Sequence, residues 1–381
     1  MDRRALLTRG GLGLLGLSAW GCASAPSVRR VDPALRLAPV RASWDRVIRT
    51  TVGLRPYRPS GFVLKAEPLG DTLLIHNFGH GGSGMSLSWG TAQLAAEMAL
   101  ERSERRAAVI GCGVVGLTTA LQLLRRGFDV TIYAKSVPPD TTSNLSLASW
   151  TPTSGLLGDG PRAALWDDQF RRAARIAWTQ LQLLVGRGYG VSWIDSYSVR
   201  ADAPRPAAPG GEPPLLPSDL ATRSQLLGPG EHPFPTAYAV RRPTLRIEPG
   251  LYLDRLVADV REAGGRIVIR TFASRADLVA LDEPTVVNCT GLGARDLVGD
   301  PELTPLKGQL TLLIPQAEVD YSTFGSATPV PGGFVHMQPR ADGIVLGGTS
   351  VEGDWSLEPD EEARRRIVEA HIDLFGRMGR G

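Results

Sequence analysis

Residues 107–134 read AAVIGCGVVGLTTALQLLRRGFDVTIYA. The apolar run 107–110 makes a short strand. Gly111-x-Gly113-x-x-Gly116 then opens a helix that carries Leu117, Ala120, Leu121 and Leu124 at three- and four-residue spacing. Gly127 stops it, and residues 130–134 give a second strand. A strand, glycine turn, helix and strand in this order present backbone N–H groups and a helix N-terminus to the pyrophosphate of a dinucleotide. The glycines alone would read equally as a tight structural turn; the surrounding unit favours a ligand. The motif lies more than a hundred residues into the chain, so a foldable segment precedes it.

The 381-residue length is enough for two domains and a large core, and 43% hydrophobic with 21% charged residues is an ordinary globular composition. A net charge of +3 is too small to argue for nucleic acid or an anionic membrane surface as partner. Cys22, Cys112 and Cys289 show neither disulfide nor metal spacing, so no metal site is expected.

The N-terminus reads as an address. Arg3-Arg4 is followed by apolar residues, the run 10–20 is too short to span a membrane as a mature helix, and Gly21 directly before Cys22 resembles a lipoprotein cleavage box. Residues 1–22 are therefore expected to be an export signal of the twin-arginine (Tat) type. Lipid attachment at Cys22 is expected, with residues 23–40 as a tether and the protein periplasmic or membrane-anchored. A frayed N-terminal helix is the bland alternative.

Residues 44–52 suggest a short helix, and Arg55-Pro56-Tyr57-Arg58-Pro59 an extended, proline-stiffened piece. Residues 62–64 and 72–75 read as strands, 77–84 as a second glycine loop, and 91–101 as a mostly buried helix. Residues 161–187 are largely helical and 201–235 form a proline- and glycine-rich loop. A helix over 251–263 precedes a strand over 266–270. Further strands are expected at 285–288, 310–314 and 344–346, then an amphipathic helix over 360–375. The fold class is α/β: a Rossmann-like nucleotide domain with a mixed, β-rich second domain.

Four separated stretches share one likeness: GCGVVGLTTALQLLRRGFDVTIYAK (111–135), DTTSNLSLASWTP (140–152), VVNCTG (286–291), and GLRPYRP (53–59) with HNFGHGGSG (76–84). Together they resemble the D-amino-acid oxidase family of flavoproteins. In that family the RP-x-RP and GHGG segments follow an LGG segment. Here LGG is Leu346-Gly347-Gly348, near the C-terminus, while the other two lie near the N-terminus. The sequence looks circularly permuted. The resemblance implies an FAD-binding domain of residues 41–160 and 271–310, with the permuted segment 41–106 first. A substrate domain of residues 161–270 and 311–360 and a C-terminal helix within 361–381 complete it.

The resemblance also implies roles. Gly111, Gly113 and Gly116 would approach the FAD pyrophosphate. Lys135 stands where an acidic residue usually holds the ribose, a departure that weakens any NAD reading. Thr141, Thr142 and Ser143 match a turn at the phosphates, or are a simple cap. Gly291 joins the cofactor set. Gly81, Gly82 and Gly84 would pass the flavin ring, with the Gly82 carbonyl taking the substrate amine and Ser86 near the flavin's pyrimidine end. Arg55 would fork onto the substrate carboxylate through two parallel hydrogen bonds, Arg58 being structural and His80 a scaffold residue. The family's pocket tyrosines fall at His336 and Gly332. His336 either binds a substrate carboxylate or is a core or rim histidine, and Tyr321 is the candidate to swing in as a substitute phenol. The implied reaction is FAD-dependent oxidative deamination of an amino acid or amine, with oxygen as acceptor and hydrogen peroxide as product. A membrane-associated dehydrogenase with another acceptor, and a non-catalytic flavoprotein sensor, are the alternatives.

Overall fold

The computed structural model describes residues 35–204, 214–330 and 334–379. The export signal, Cys22 and Gly332 lie outside them. In chain order the elements are β1 (Val47–Tyr57), β2 (Val63–Leu69), β3 (Thr72–Phe78), α1 (Gly84–Ala99), β4 (Arg106–Ile110), α2 (Val114–Leu124) and β5 (Asp129–Ala134). Next come α3 (Trp166–Leu183), β6 (Val191–Arg200), β7 (Gln225–Leu227), β8 (Tyr238–Ile247), α4 (Pro249–Glu262), β9 (Arg266–Ile269), α5 (Arg275–Val279) and β10 (Thr285–Asn288). The chain ends through α6 (Ala294–Leu297), β11 (Thr304–Leu313), β12 (Tyr321–Phe324), β13 (His336–Arg340), β14 (Gly343–Gly347), β15 (Val351–Glu352) and α7 (Glu361–Gly376).

The strand–glycine–helix–strand unit forms as its sequence implies. β4 and β5 pair in parallel around α2 and lie in a six-stranded sheet of order β2-β3-β10-β4-β5-β9. Only the edge strand β2 runs antiparallel. The central strands are apolar throughout because both faces are covered. Ala107, Val109 and Val287 face the core shared with α1 and α2, while Ala108, Ile110 and Val286 pack with Leu278 of α5 and Leu297 of α6. The second sheet has nine strands, in the order β1-β11-β14-β13-β12-β6-β8-β7 with β15 added on β11.

Three expectations need correction. Residues 44–52 are not a helix: a single 3-10 turn over Trp44–Arg46 leads directly into β1. Val47, Ile48, Thr50, Thr51 and Val52 are β-branched, and β1 pairs along β11 from Val47 opposite Leu313 to Tyr57 opposite Thr304, with a register shift at Ile48. The domain boundaries also shift. β1 belongs to the antiparallel sheet, whereas α3, α4 and β9 belong with the parallel sheet and its helices. α3 crosses α1 at Gly90, where a Cβ would stand 1.9 Å from the Ala173 carbonyl oxygen. Finally, residues 38–40, expected to belong to the tether, pack against the fold. Val40 is buried, Gln316 Nε2 donates to the Pro39 carbonyl at 2.9 Å, and Tyr321 Oη donates to the Ala38 carbonyl at 2.7 Å.

Candidate active site

A cavity of about 1120 Å³ lies between the carboxyl ends of β3, β4, β5 and β10 and one face of the antiparallel sheet. Open parallel sheets place ligands at such strand ends. The space exceeds the ~300–1,000 Å³ of an ordinary small-molecule pocket, which suits a dinucleotide with a further small molecule.

The nucleotide end follows from the first glycine turn. Gly111 has φ +114°, and a Cβ there would meet the Cys289 carbonyl oxygen at 2.5 Å. A Cβ on Gly116 would stand 2.0 Å from the Gly111 carbonyl oxygen, so this glycine lets α2 close on β4. Gly113 has no backbone neighbour that close, and its missing side chain leaves the helix N-terminus open to the cavity. Ser143 Oγ accepts from the Val114 N–H at 3.0 Å, so the Ser143 hydroxyl reaches the donors a phosphate would use. Thr141, Thr142, Lys135 and Gly291, with φ +58°, border the same end. Cys112 and Cys289 are protonated scaffold thiols, since burial pushes both up to about 12.

The loop after β3 borders the middle of the cavity, but its glycines answer to protein as well. A Cβ on Gly81, at φ +54°, would stand 1.8 Å from the Gly155 carbonyl oxygen, and one on Gly82 2.6 Å from the Ser154 carbonyl oxygen. These residues are small because residues 154–155 press on them, which amends the expectation that the flavin alone requires it. Gly84 has only ordinary contacts and borders the cavity. Ser86 does not border it. Its hydroxyl donates to the Ser149 carbonyl and accepts from the Thr151 N–H, both at 2.9 Å, so the expected cofactor contact is replaced by a structural tie. His80 is the expected scaffold residue: it stacks on Phe62, its Nε2 lies 3.1 Å from Thr91 Oγ1, and burial pushes its pKa down to about 3.

β1 supplies Arg55. Its Nε donates to the Leu306 carbonyl at 2.9 Å, and Nη2 donates to the Lys307 and Thr349 carbonyls and to Ser350 Oγ at 3.2–3.3 Å. One edge of the guanidinium is thus committed, leaving Nη1 for a ligand in place of the parallel two-bond fork expected from sequence. Arg55 forms no ion pair among the described residues, and burial pulls its pKa down. Arg58 is structural, held by Asp300 at 2.8 Å and Glu302 at 2.6 Å.

His336, half-buried on β13, borders the cavity over Gly347, where a Cβ would stand 2.2 Å from its Cε1. Burial, with His371 and Arg55 nearby, pushes it down to about 3, so the ring is neutral at physiological pH. Its Nδ1 has no partner among the described residues. The same holds for Asn77 Oδ1 and Trp150 Nε1, both on residues that border the cavity. Orphaned buried polar atoms around one cavity point to ligand partners. Tyr321 does not swing in; it is 1% exposed in the core on the opposite face. Sequence reasoning missed Phe324 and Phe334, which stack with centroids 5.5 Å apart at the cavity edge. It also missed Gln338, whose side chain ties β13 to residues 147–149.

Comparison with known proteins agrees with this geometry. The family model described as FAD dependent oxidoreductase matches residues 26–98 and 106–380. The chain belongs to the FAD-dependent oxidoreductase family. FAD is the cofactor this cavity fits: the glycine cradle, the open helix N-terminus and the orphaned polar atoms meet its needs. A D-amino-acid oxidase of Rubrobacter xylanophilus is 32% identical over 69% of this chain and 75% of that protein. A D-aspartate oxidase of Homo sapiens is 30% identical over 69% of this chain and 74% of that one. Among solved structures, the glycine oxidase from Bacillus cereus matches with a TM-score of 0.51 at 15% identity, covering 71% of this chain and 78% of that one. That last likeness is one of fold.

Proposed function

We propose that the protein oxidatively deaminates an amino acid, with oxygen as final acceptor. Arg55 carries this reading: a half-buried guanidinium at the cavity, without a carboxylate partner among the described residues. A buried cation left unpaired is costly, and a substrate carboxylate on Nη1 would repair it. The names of the relatives support an amino-acid substrate.

Bound FAD supplies a two-electron acceptor for the hydride of the substrate α-carbon. The protein's own work is placement. Arg55 anchors the carboxylate. The Gly82 segment, held by its N–H to the Gly155 carbonyl at 3.2 Å, holds a backbone carbonyl for the amine. Neutral His336 offers an unpartnered Nδ1, and the Phe324–Phe334 stack limits water at the edge. With burial holding both near 3, neither His80 nor His336 is a strong enough base to take the proton of a substrate ammonium, so the amine must arrive unprotonated. The imino acid then leaves and hydrolyses to a 2-oxo acid and ammonia.

The test is an anaerobic spectral titration of the FAD-loaded protein with D- and L-amino acids, glycine and secondary amines. Bleaching of the flavin by one class is expected, with stoichiometric peroxide when air returns. Slow reoxidation in air would favour a dehydrogenase, and a flavin that no amino acid or amine reduces would overturn the proposal.

We also infer two properties of the chain. The first is export as a lipoprotein, supported by Arg3-Arg4 and Gly21-Cys22. Radiolabelled palmitate should enter the wild type and not Cys22→Ser. The second is circular permutation, supported by the order of the motifs in the sequence.

A further inference from the structure

We propose that Lys307 and Asp354 are positioning residues for Arg55. Their ion pair latches the surface strap 349–360 onto β11, and the strap fixes the guanidinium that meets the substrate carboxylate. This rests on the Arg55 reading above and deepens it.

The acceptors that orient Arg55 come from two sources. The Leu306 and Lys307 carbonyls belong to β11, which pairs along β1 and is held by that ladder. The Thr349 carbonyl and Ser350 Oγ, each 3.2 Å from Nη2, belong to the strap. Residues 350–360 are exposed except Asp354, and the two-residue β15 is their only regular element. A segment with so little burial of its own opens at low cost unless it is tied down.

Few ties hold it. β15 pairs with β11 through Val351 opposite Lys307 and Glu352 opposite Leu306. Thr349 Oγ1 accepts from the Gln309 N–H at 2.7 Å, and the Gly353 N–H donates to the Pro305 carbonyl at 2.8 Å. Lys307 Nζ lies 2.8 Å from Asp354 Oδ2, and among the described residues this is the one ion pair that reaches the strap. The Lys307 side chain is 10% exposed and that of Asp354 37%. A buried ammonium that loses its carboxylate is costly. Opening the strap would strand Lys307, so the pair favours the closed position more than an exposed pair would.

The latch lies on the far side of β11 from the ligand. Arg55 is opposite Leu306, and its guanidinium lies over Gly308, where a Cβ would stand 3.3 Å from Nη2. Alternation puts Lys307, between these two, on the other face. Neither Lys307 nor Asp354 borders the cavity. An effect of either on a bound carboxylate must therefore pass through Thr349 and Ser350 to Arg55. Without those two acceptors the Nη2 edge keeps only β11, and the guanidinium loses part of the support that sets its angle to the ligand.

The experiment reads binding through the visible spectrum of the FAD-loaded protein. The carboxylates propionate to hexanoate are compared with the corresponding uncharged amides. The proteins are wild type, Asp354→Asn, Lys307→Met, Asp354→Glu and Arg55→Met, and hydrogen exchange over 350–360 is followed by mass spectrometry on the same samples. Asp354→Asn and Lys307→Met should each weaken carboxylate binding by about three- to tenfold, the usual range for a residue acting through a neighbour. Amide binding should stay within about twofold, and exchange in the strap should quicken. Asp354→Glu should restore carboxylate binding to within about twofold of wild type. A merely structural role would lower both ligand series together, which would overturn the inference. So would faster strap exchange with carboxylate binding unchanged. If Arg55→Met removes the carboxylate preference and Asp354→Asn does not, the latch falls and the Arg55 reading stands. If Arg55→Met leaves the preference intact, the Arg55 reading falls and this inference with it.

Discussion

Replacing Arg55 with Met separates its role in the fold from its role at the cavity. The substitution keeps the apolar stem and removes the charge. It deletes hydrogen bonds to three carbonyls and Ser350 Oγ at 2.9–3.3 Å, each worth about 0.5–1.5 kcal/mol net. It also removes a half-buried cation with no carboxylate partner among the described residues, whose desolvation costs several kcal/mol. These effects oppose, so stability should change by no more than about 2 kcal/mol. Substrate binding has no such offset. Losing a charge-assisted contact to a carboxylate costs about 1.5–3 kcal/mol, which is about 10- to 150-fold in affinity at ~1.4 kcal/mol per decade. The assay is anaerobic flavin reduction by the best substrate, read as the half-saturating concentration, with flavin content and melting temperature measured on the same samples. Arg55→Lys should recover part of the loss, since it restores charge without the three-carbonyl anchor. An Arg55→Met protein that keeps its flavin and shows unchanged saturation would refute the reasoning. Loss of flavin instead would show that Arg55 serves the cofactor.

Three further outcomes follow from the geometry. Gly116→Ala puts a Cβ 2.0 Å from backbone that cannot yield; it should cost about 1–3 kcal/mol and weaken FAD binding, and calorimetry showing neither would count against the cradle. Ser86→Ala should cost about 1–3 kcal/mol by orphaning the Thr151 N–H, while FAD affinity measured by fluorescence quenching stays within about twofold, the mark of a structural rather than a cofactor residue. Stability should also fall in acid. His80 and His336 are held near 3 and His371 near 4 by burial, all below the ordinary 6.5. Above that ordinary value they are neutral in both states, and between it and about 4 only the unfolded chain takes up the protons. Each contributes a slope of about 1.4 kcal/mol per pH unit, so urea unfolding at constant FAD should lose up to about 4 kcal/mol per unit below pH 6. Unfolding midpoints that do not move between about pH 7 and about pH 5 would contradict this.

How much was legible in the sequence differs between the two walls of the cavity. β4, α2 and β5 are covered on every side, so their apolar runs and glycines map directly onto structure, and the residues expected at the nucleotide end border the cavity together. The opposite wall has no such regularity. β6 turns Ser196, Ser198 and Arg200 toward the cavity and leaves Trp193 43% exposed, so neither face is plainly apolar. β8 carries Pro243 and two adjacent arginines, which mask a strand. β1 misleads in another way: Trp44, Val47, Ile48 and Thr51 fall at helical spacing, and only their β-branching argues for the ladder they join. Ser86 was misplaced because a serine one turn into α1 faces cavity or core depending on how residues 149–151 fold back, a long-range fact no local pattern contains.

The proposed permutation makes a stronger test of the architecture than any point substitution. Every element at the cavity is placed by lateral pairing: β10 lies between β3 and β4, and β11 between β1 and β14. None of these neighbours requires the present chain order. Two joints matter. Residues 100–105 link α1 to β4 across the surface, and residues 35–40 meet α7's end at Tyr321, whose Oη contacts the Ala38 carbonyl at 2.7 Å and Met378 Sδ at 3.8 Å. A gene that opens the chain within 100–105 and joins residue 379 to residue 40 by a short flexible linker would give the order that the proposed permutation implies for the unpermuted chain. The closure term for so short a linker changes by about 0.6 kcal/mol per doubling of length, small against a typical domain stability of ~5–15 kcal/mol. The rearranged protein should therefore fold, bind FAD with unchanged stoichiometry and reduce it with the same substrate. If it folds only when the linker is long, residue 379 and residue 40 do not meet as the Tyr321 contacts imply. If it folds and loses flavin, the link over 100–105 positions the glycine turn, and the present order would itself be part of the site.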